Sequence, residues 1–330
     1  MGRARIRRVR CGCQRLDGKP RVTGIVLRRF AKTGTPRFLL LGGSGAYSLP
    51  EGALGLRLGT RRLRTPFGLA NPVHLYERDG FRYFFLSRHG ERSYERTAPY
   101  VDYRANIFAA KDLGVERIIA WSGPGIVSKG MRPGDLALPD DLLDFTRNRP
   151  STFFEGGGIG FVRQFPVFCG TVRKVLLEVW KRGTKDPRLI DGGTYACTEG
   201  PRLETPAEVR FLARAGADMV GMTLCPEAFL ARELEICYAP VAYLTNYAEG
   251  VRTMPYRRGV LFEGMLNRSG EGRVESAKDA ILPLALGAAR ALAGRKRNCP
   301  CAVSMERYRR SGVIGPDFRT WVSPRGRRSK

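Results

Sequence analysis

The sequence predicts an α/β fold, and three observations carry that expectation. Residues 103–113 are helix formers closed by Gly114, and the apolar strand Glu116–Ala120 follows at once, giving a strand, helix, strand rhythm. Short apolar runs end repeatedly in turns of glycine and hydroxyl residues: Phe38–Leu41 runs into Gly42-Gly43-Ser44-Gly45, and Glu116–Ala120 into Ser122-Gly123-Pro124-Gly125. The stretch from Gly193 to Gly250 then sets polar groups at helix starts and strand ends, where an α/β sheet builds a pocket.

In chain order, residues 1–37 show no sustained period and are rich in Gly, Pro and Arg, which predicts a disordered arm. The strand at 38–41 leads into glycines that let backbone amides approach an anion, with the Ser44 hydroxyl as a further donor. No Gly-Lys-Ser/Thr follows, so this is not a Walker loop, and taken alone it is only a turn. After the turn Thr65-Pro66-Phe67-Gly68, the alternating aromatic strand Phe81–Ser87 delivers Arg88-His89-Gly90. An Arg-His pair can clamp a dianion through a planar fork and a second donor; from these residues alone, a solvated strand end is the plainer reading.

Arg132-Pro133-Gly134-Asp135 is a tight turn before the apolar run Leu136–Pro139, and the adjacent Asp140 and Asp141 read as solvated acids rather than metal ligands. Residues 148–170, polar, aromatic and glycine-rich, are expected to loop over the site, and 171–182 to form an amphipathic helix. Thr205-Pro206-Ala207-Glu208 has the form of a capping box, so a helix starts at Pro206; Val209, Leu212 and Ala213 share one face, and Gly216 closes it. Pro226–Leu234 reads as a second helix and Tyr238–Leu244 as a buried strand ending in Thr245-Asn246. The last helix is expected within Ala277–Leu292, followed by a disordered tail over 295–330 that opens with Arg295-Lys296-Arg297.

With 43% hydrophobic residues the 330-residue chain can bury a real core. Its net charge of +26 belongs mostly to the ends: residues 1–37 carry twelve Lys/Arg against Asp17, and 295–330 eleven against Glu306 and Asp317, which leaves +6 for 38–294. The eight cysteines, Cys11, Cys13, Cys169, Cys197, Cys225, Cys237, Cys299 and Cys301, include no CxxC pair, and neither a zinc site nor a disulfide framework is expected. Free thiols fit a reducing cytoplasm. No run of eighteen apolar residues exists to span a membrane, and the leader's Gly24-Ile25-Val26-Leu27 is too short for a secretory signal.

Six ordered motifs resemble the purine nucleoside phosphorylase and methylthioadenosine phosphorylase family, in its trimeric branch. They are GGSG at 42–45, RHG at 88–90, YRAN at 103–106, RPGD at 132–135, EGPRLETPAE at 199–208 and GMTLCPE at 221–227. The resemblance covers about residues 38–292 and overturns the plainer reading of Arg88 and His89. It implies a single α/β domain, 38–294, around a mixed twisted sheet flanked by helices, and reversible phosphorolysis of a purine nucleoside to base and sugar 1-phosphate. Carried over by motif, Ser44, Arg88, His89, Ser122, Gly123 and Thr223 would contact phosphate. Met222 would pack on the ribose, and Leu203, Glu204, Asn246, Tyr247 and Ala248 would form the base site, with Asn246, Glu204 and His89 the catalytic group. No metal or organic cofactor is expected, phosphate being a co-substrate, and a cytoplasmic homotrimer is.

The chemistry accounts for these residue types. Glycosidic cleavage leaves positive charge on the ribose and negative charge on the departing purine, so an anionic nucleophile on one side and a donor on the other stabilise the transition state. The Asn246 amide offers an N–H toward N7, and Glu204, as a carboxylate, accepts from the N1–H that only a 6-oxopurine has. Relatives that take 6-aminopurines resemble one another in having aspartate where Asn246 stands, an acid at Ala248 and a small hydroxyl residue at Glu204. The expectation is therefore a 6-oxopurine nucleoside phosphorylase acting on inosine and guanosine in purine salvage. Two departures stand out: Leu203, where many relatives place phenylalanine, and Trp121-Ser122-Gly123-Pro124, where Pro124 lacks an N–H. The alternative is methylthioinosine phosphorylase, which differs in the pocket for the ribose 5′ substituent, expected near residues 251–262. A reading from a different class is nucleic-acid binding through the two basic ends, against which stands the small-molecule site that the resemblance places in the centre of the chain.

Overall fold

The structure, a computed structural model, describes residues 35–322 apart from 157–158, 184–185, 254 and 260–267. The expected arm over 1–37 lies outside the described residues except for 35–37. In chain order the elements are β1 (Phe38–Gly42), β2 (Leu56–Arg61), β3 (Arg64–Thr65), β4 (Gly68–Leu69), β5 (Val73–Arg78), β6 (Phe81–Ser87), α1 (Tyr103–Asp112), β7 (Arg117–Ser122), β8 (Gly125–Ile126), β9 (Leu136–Leu138) and β10 (Asp141–Phe145). They continue as α2 (Gly170–Arg182), β11 (Leu189–Asp191), β12 (Thr194–Thr198), α3 (Pro206–Arg214), β13 (Met219–Gly221), α4 (Leu224–Glu233), β14 (Cys237–Tyr243), α5 (Arg268–Leu292) and α6 (Glu306–Arg310).

Eight strands form a mixed sheet in the order β11-β9-β14-β7-β1-β6-β5-β2. Its centre is parallel, β14 to β7 to β1 to β6, and β1 and β14 read as largely apolar runs because both faces are covered. β1 and β14 are buried at every residue. Helices α2 and α5 cover one face: Val172, Val175 and Leu176 meet Val274, Ala277, Ile281, Ala285 and Ala288 in one core with Leu40, Ile119 and Val241. A second, four-stranded sheet, β10-β12-β13-β8, was not foreseen; its strands are short, and their pairing is set across the fold rather than by local pattern.

Several local expectations coincide with the structure. β6 occupies the expected residues, and α3 begins at Pro206 with both halves of the capping box made: the Thr205 hydroxyl accepts from Glu208 N and the Glu208 carboxylate from Thr205 N. None of the described residues among 148–170 lines the cavity of the site. Instead Arg149 is buried and donates to the carbonyls of Met222, Cys225, Thr198 and Glu199 and to the Tyr103 hydroxyl, while Phe153 is fully buried. This one guanidinium ties two site-bearing segments together. Arg149→Met should cost on the order of 3–5 kcal/mol, because it strands several buried carbonyls. Urea denaturation checks this, and a shift below about 1 kcal/mol would mean that the carbonyls find other donors.

The expected disordered tail is corrected over 295–322, while 323–330 lie outside the described residues. Residues 295–322 are described and pack on the domain, with a 3-10 turn at Pro300–Val303, α6, and a second 3-10 turn at Phe318–Thr320. Cys299, Cys301, Met305, Tyr308, Ile314, Trp321 and Val322 are buried. Arg309 makes a two-pronged ion pair with Glu235 (2.8 and 2.6 Å), Arg319 pairs with Asp112, and the Arg297 guanidinium donates to Glu235 O at 2.6 Å. Arg297, Arg309, Arg310 and Arg319 are structural partners of acids, which is why a charge run misled. The anchors also sit at irregular spacings, so no period marks them.

Candidate functional site

Because β14, β7, β1 and β6 run parallel, their carboxyl ends open on one edge of the sheet, and there the sequence places its polar turns. β1 ends at Gly43-Ser44, β6 at Arg88-His89, β7 at Ser122-Gly123 and β14 leads to Thr245-Asn246. The smaller sheet faces the same space with the turn after β13, carrying Met222 and Thr223, and the loop from β12 to α3, carrying Leu203 and Glu204. Together they enclose a cavity of about 350 Å³. Two glycines are required by close approach: a Cβ on Gly43 would lie 2.7 Å from Trp121 O, and one on Gly123 2.7 Å from the Tyr243 ring.

Eleven of the expected residues line this cavity: Ser44, Arg88, His89, Ser122, Gly123, Leu203, Glu204, Met222, Thr223, Asn246 and Ala248. Tyr247 does not. Its hydroxyl donates to Met131 O at 3.4 Å and its ring lies under the Arg252 guanidinium. None of the described residues among 251–262 lines it, and the rest of that stretch lies outside the described residues. Lining residues not expected from sequence include Tyr94, Thr97, Ala98 and Glu249. The first three sit between the RHG and YRAN motifs, a placement that was available as a signal.

Arg88 is fully buried. Its Nε and Nη2 donate to the two oxygens of Glu227 (2.7 and 2.9 Å) and Nη1 to Trp121 O (2.8 Å), so three of its five N–H groups are committed. Burial works against its charge, and the Glu227 carboxylate more than compensates, holding the guanidinium protonated. Glu227 also accepts from the Tyr238 hydroxyl at 2.6 Å. This buried acid, inside GMTLCPE, is a positioning residue that the sequence reading passed over.

His89 Nδ1 lies 2.9 Å from Arg96 O, an atom that can only accept, so Nδ1 carries the proton and Nε2 a lone pair. Burial and the Arg88 charge push its pKa down to about 4. Ser122 Oγ is 3.0 Å from the Tyr195 hydroxyl and 3.1 Å from Thr223 Oγ1, and Ser44 Oγ is 3.1 Å from the Tyr243 hydroxyl, whose pKa burial raises to about 12. The cavity floor is thus a ring of neutral hydroxyls beside one fixed positive charge. Glu204 accepts from the Thr198 hydroxyl, and Asn246 accepts at Oδ1 from the Thr245 hydroxyl (2.6 Å) while Nδ2 donates to Tyr247 O (2.9 Å), which fixes the amide's orientation.

The low His89 value has a consequence for stability. Between about pH 4 and 6.5 the unfolded chain binds a proton that folded His89 refuses, so this group makes stability rise with pH. Buried Glu233, raised by desolvation to about 7, acts oppositely: between 4.5 and 7 the folded chain keeps a proton that the unfolded chain has released. Each is worth up to about 3 kcal/mol, so they nearly cancel. His89→Asn should therefore unmask a stability that falls as pH rises from 4.5 to 7, and His89→Asn/Glu233→Gln should flatten it, as read from urea midpoints; a His89→Asn profile parallel to the parent would refute the assignment.

Comparison with known proteins agrees with this geometry. Residues 74–264 match the profile of the Phosphorylase superfamily. The chain is 40% identical over 275 residues to the 6-oxopurine nucleoside phosphorylase of Pyrococcus furiosus, covering 81% of this chain and 96% of the relative. It is 37% identical over 262 residues to a protein of Methanothermobacter thermautotrophicus named "Probable S-methyl-5'-thioinosine phosphorylase", covering 79% and 86%. Among solved structures, a methylthioadenosine phosphorylase from an antarctic soil metagenomic library superposes with a TM-score of 0.70 at 30% identity, covering 82% of this chain and 91% of that one. A polar edge of parallel strands, a cavity sized for a small molecule and these similarities converge: the chain belongs to the phosphorylase superfamily, a family of enzymes.

Proposed function

We propose that this protein is a 6-oxopurine nucleoside phosphorylase that cleaves inosine and guanosine with inorganic phosphate, releasing the base and ribose 1-phosphate. The observation that carries the reading is that Glu204 and Asn246 line the same cavity as Arg88, Ser44, Ser122 and Thr223. In this reading the phosphate takes hydroxyl donors from Ser44, Ser122 and Thr223 and the uncommitted N–H groups of Arg88. Neutral His89 supplies a lone pair, matched to the P–OH of monobasic phosphate or to a ribose hydroxyl. Glu204, held by Thr198, accepts from the purine N1–H, and Asn246 donates toward N7 as negative charge grows there. The reaction needs no metal or organic cofactor. The relatives' names agree with the 6-oxopurine class. A homotrimer acting in the cytoplasm is part of the proposal and is tested by sedimentation; among the described residues no helix is long and apolar enough to cross a membrane.

A second reading is S-methyl-5'-thioinosine phosphorolysis, giving hypoxanthine and 5-methylthioribose 1-phosphate. It is favoured by the apolar lining residues Ala98, Val220 and Met222 and by relatives of that name. The ratio of kcat/KM for inosine and methylthioinosine decides between the two. Base release from inosine, guanosine, adenosine and methylthioinosine, each with and without phosphate, tests the whole reading; equal turnover without phosphate, releasing free ribose, would sink it.

Arg88→Ala should raise the phosphate KM and lower kcat/KM by about 2–4 kcal/mol, and it should also destabilise the fold by leaving Glu227 unpaired. Arg88→Ala/Glu227→Gln separates the two effects: stability returns while phosphate use stays weak. Recovery of phosphate use in the double variant would show that Arg88 serves only the fold.

A further inference from the structure

Cys169, Cys237, Cys299 and Cys301 come from three distant parts of the chain, yet all four are buried and all four Sγ atoms lie within 4.8 Å of one another. We propose that they form a tetrathiolate centre that holds a single tetrahedral metal ion, zinc, and fastens the carboxyl-terminal segment to the domain. A tetrahedron of sulfurs at zinc–thiolate bond length has edges of about 3.8 Å, so the four thiols stand where one ion needs them. Cys237 and Cys299 are already 3.3 Å apart. A cubane cluster, which puts each thiolate on a different iron, needs a wider spread of sulfurs than this.

The backbone holds each donor. Cys169 caps α2 and its N–H donates to Tyr238 O at 2.8 Å. Cys237 opens β14, with its N–H on Glu116 O at 2.9 Å. Cys299 and Cys301 flank Pro300 in the 3-10 turn, which Ala302 N closes on Cys299 O at 3.1 Å. The site also answers the charge that four thiolates bring. Cys169 stands at the N-terminus of a 13-residue helix, and Arg117 is the register partner of Cys237 on β7. On binding, each thiol releases its proton to solvent and donates its lone pair to the ion, so four thiols and one divalent cation give a dianionic centre and four protons. Four buried thiols packed merely as small hydrophobes have no need to converge on one point. The sequence concealed the site because its donors are a CxC pair and two single cysteines about 60 residues apart or more, read as isolated thiols.

Full-length protein purified under reducing conditions without chelator should contain about one zinc per chain by elemental analysis. Cys299→Ser/Cys301→Ser should hold less than about a tenth of that, while Cys11→Ser/Cys13→Ser keeps it. Should the first variant fold poorly, the parent protein decides: exchanged into cobalt(II), it should show the intense visible bands of a tetrahedral all-thiolate ion. Zinc-free parent protein whose four thiols are paired in disulfides, or zinc retained in Cys299→Ser/Cys301→Ser, would overturn the proposal, and iron in place of zinc would overturn the choice of ion.

Discussion

A chain ending at residue 294 should fail to fold cooperatively, or should unfold at far lower urea than the parent. Such a cut follows the boundary that charge and periodicity suggest, but it removes Met305, Tyr308, Ile314 and Trp321, each at most 8% exposed. At about 1.5–3 kcal/mol for each large apolar side chain, their burial is worth up to roughly 6–12 kcal/mol, an upper bound because the unfolded chain hides some of that surface. The whole stability of a domain is about 5–15 kcal/mol. The cut also strips Arg309 from Glu235, a carboxylate whose side chain is 9% exposed, and leaves it without its main counter-charge. A chain ending at 322 keeps all of these contacts and serves as the control. Urea unfolding followed by circular dichroism checks the prediction; a 294-residue chain with the parent's midpoint would show that the segment is a passive passenger.

The failure to foresee that segment shows what kind of information the sequence displays. β6, the start of α3 and the strand leading to Asn246 were legible because each is decided within a dozen residues, by alternation, a capping box or an apolar run. The site was legible for a related reason: parallel strands end on one edge, so motifs that look separate in sequence must meet. What escaped was decided at long range. Arg149 sits in a polar loop, yet it braces four carbonyls from two other segments. Glu227 lies in a motif that was recognised, but only the structure shows it locking Arg88. Tyr247, adjacent to Asn246, was expected at the base and turns toward Met131 instead, as alternate residues leaving a strand do.

The other large effect expected is on base preference. Asn246→Asp should lower inosine cleavage by about two powers of ten, roughly 3 kcal/mol, for a lost donor facing developing charge. The structure sharpens the reason. The Thr245 hydroxyl already donates to Oδ1 of Asn246, and Nδ2 donates to Tyr247 O. An ionised aspartate would keep the first bond but turn a carboxylate oxygen against the Tyr247 carbonyl, in a cavity that Glu249 also lines. The carboxyl is therefore driven toward its protonated form, which can donate once, to the carbonyl or to N7 but not to both. Glu204, accepting from Thr198, still offers only an acceptor to the purine, which suits an N1–H and repels the lone pair of a 6-aminopurine. Adenosine should thus gain relative to inosine in Asn246→Asp, and gain most in Asn246→Asp/Glu204→Ser, where a hydroxyl can donate to that lone pair. Measured kcat/KM values for the two nucleosides in parent, single and double variants test this. Parent protein that cleaves adenosine as well as inosine, or a double variant with the parent's preference, would refute the assigned roles of both residues.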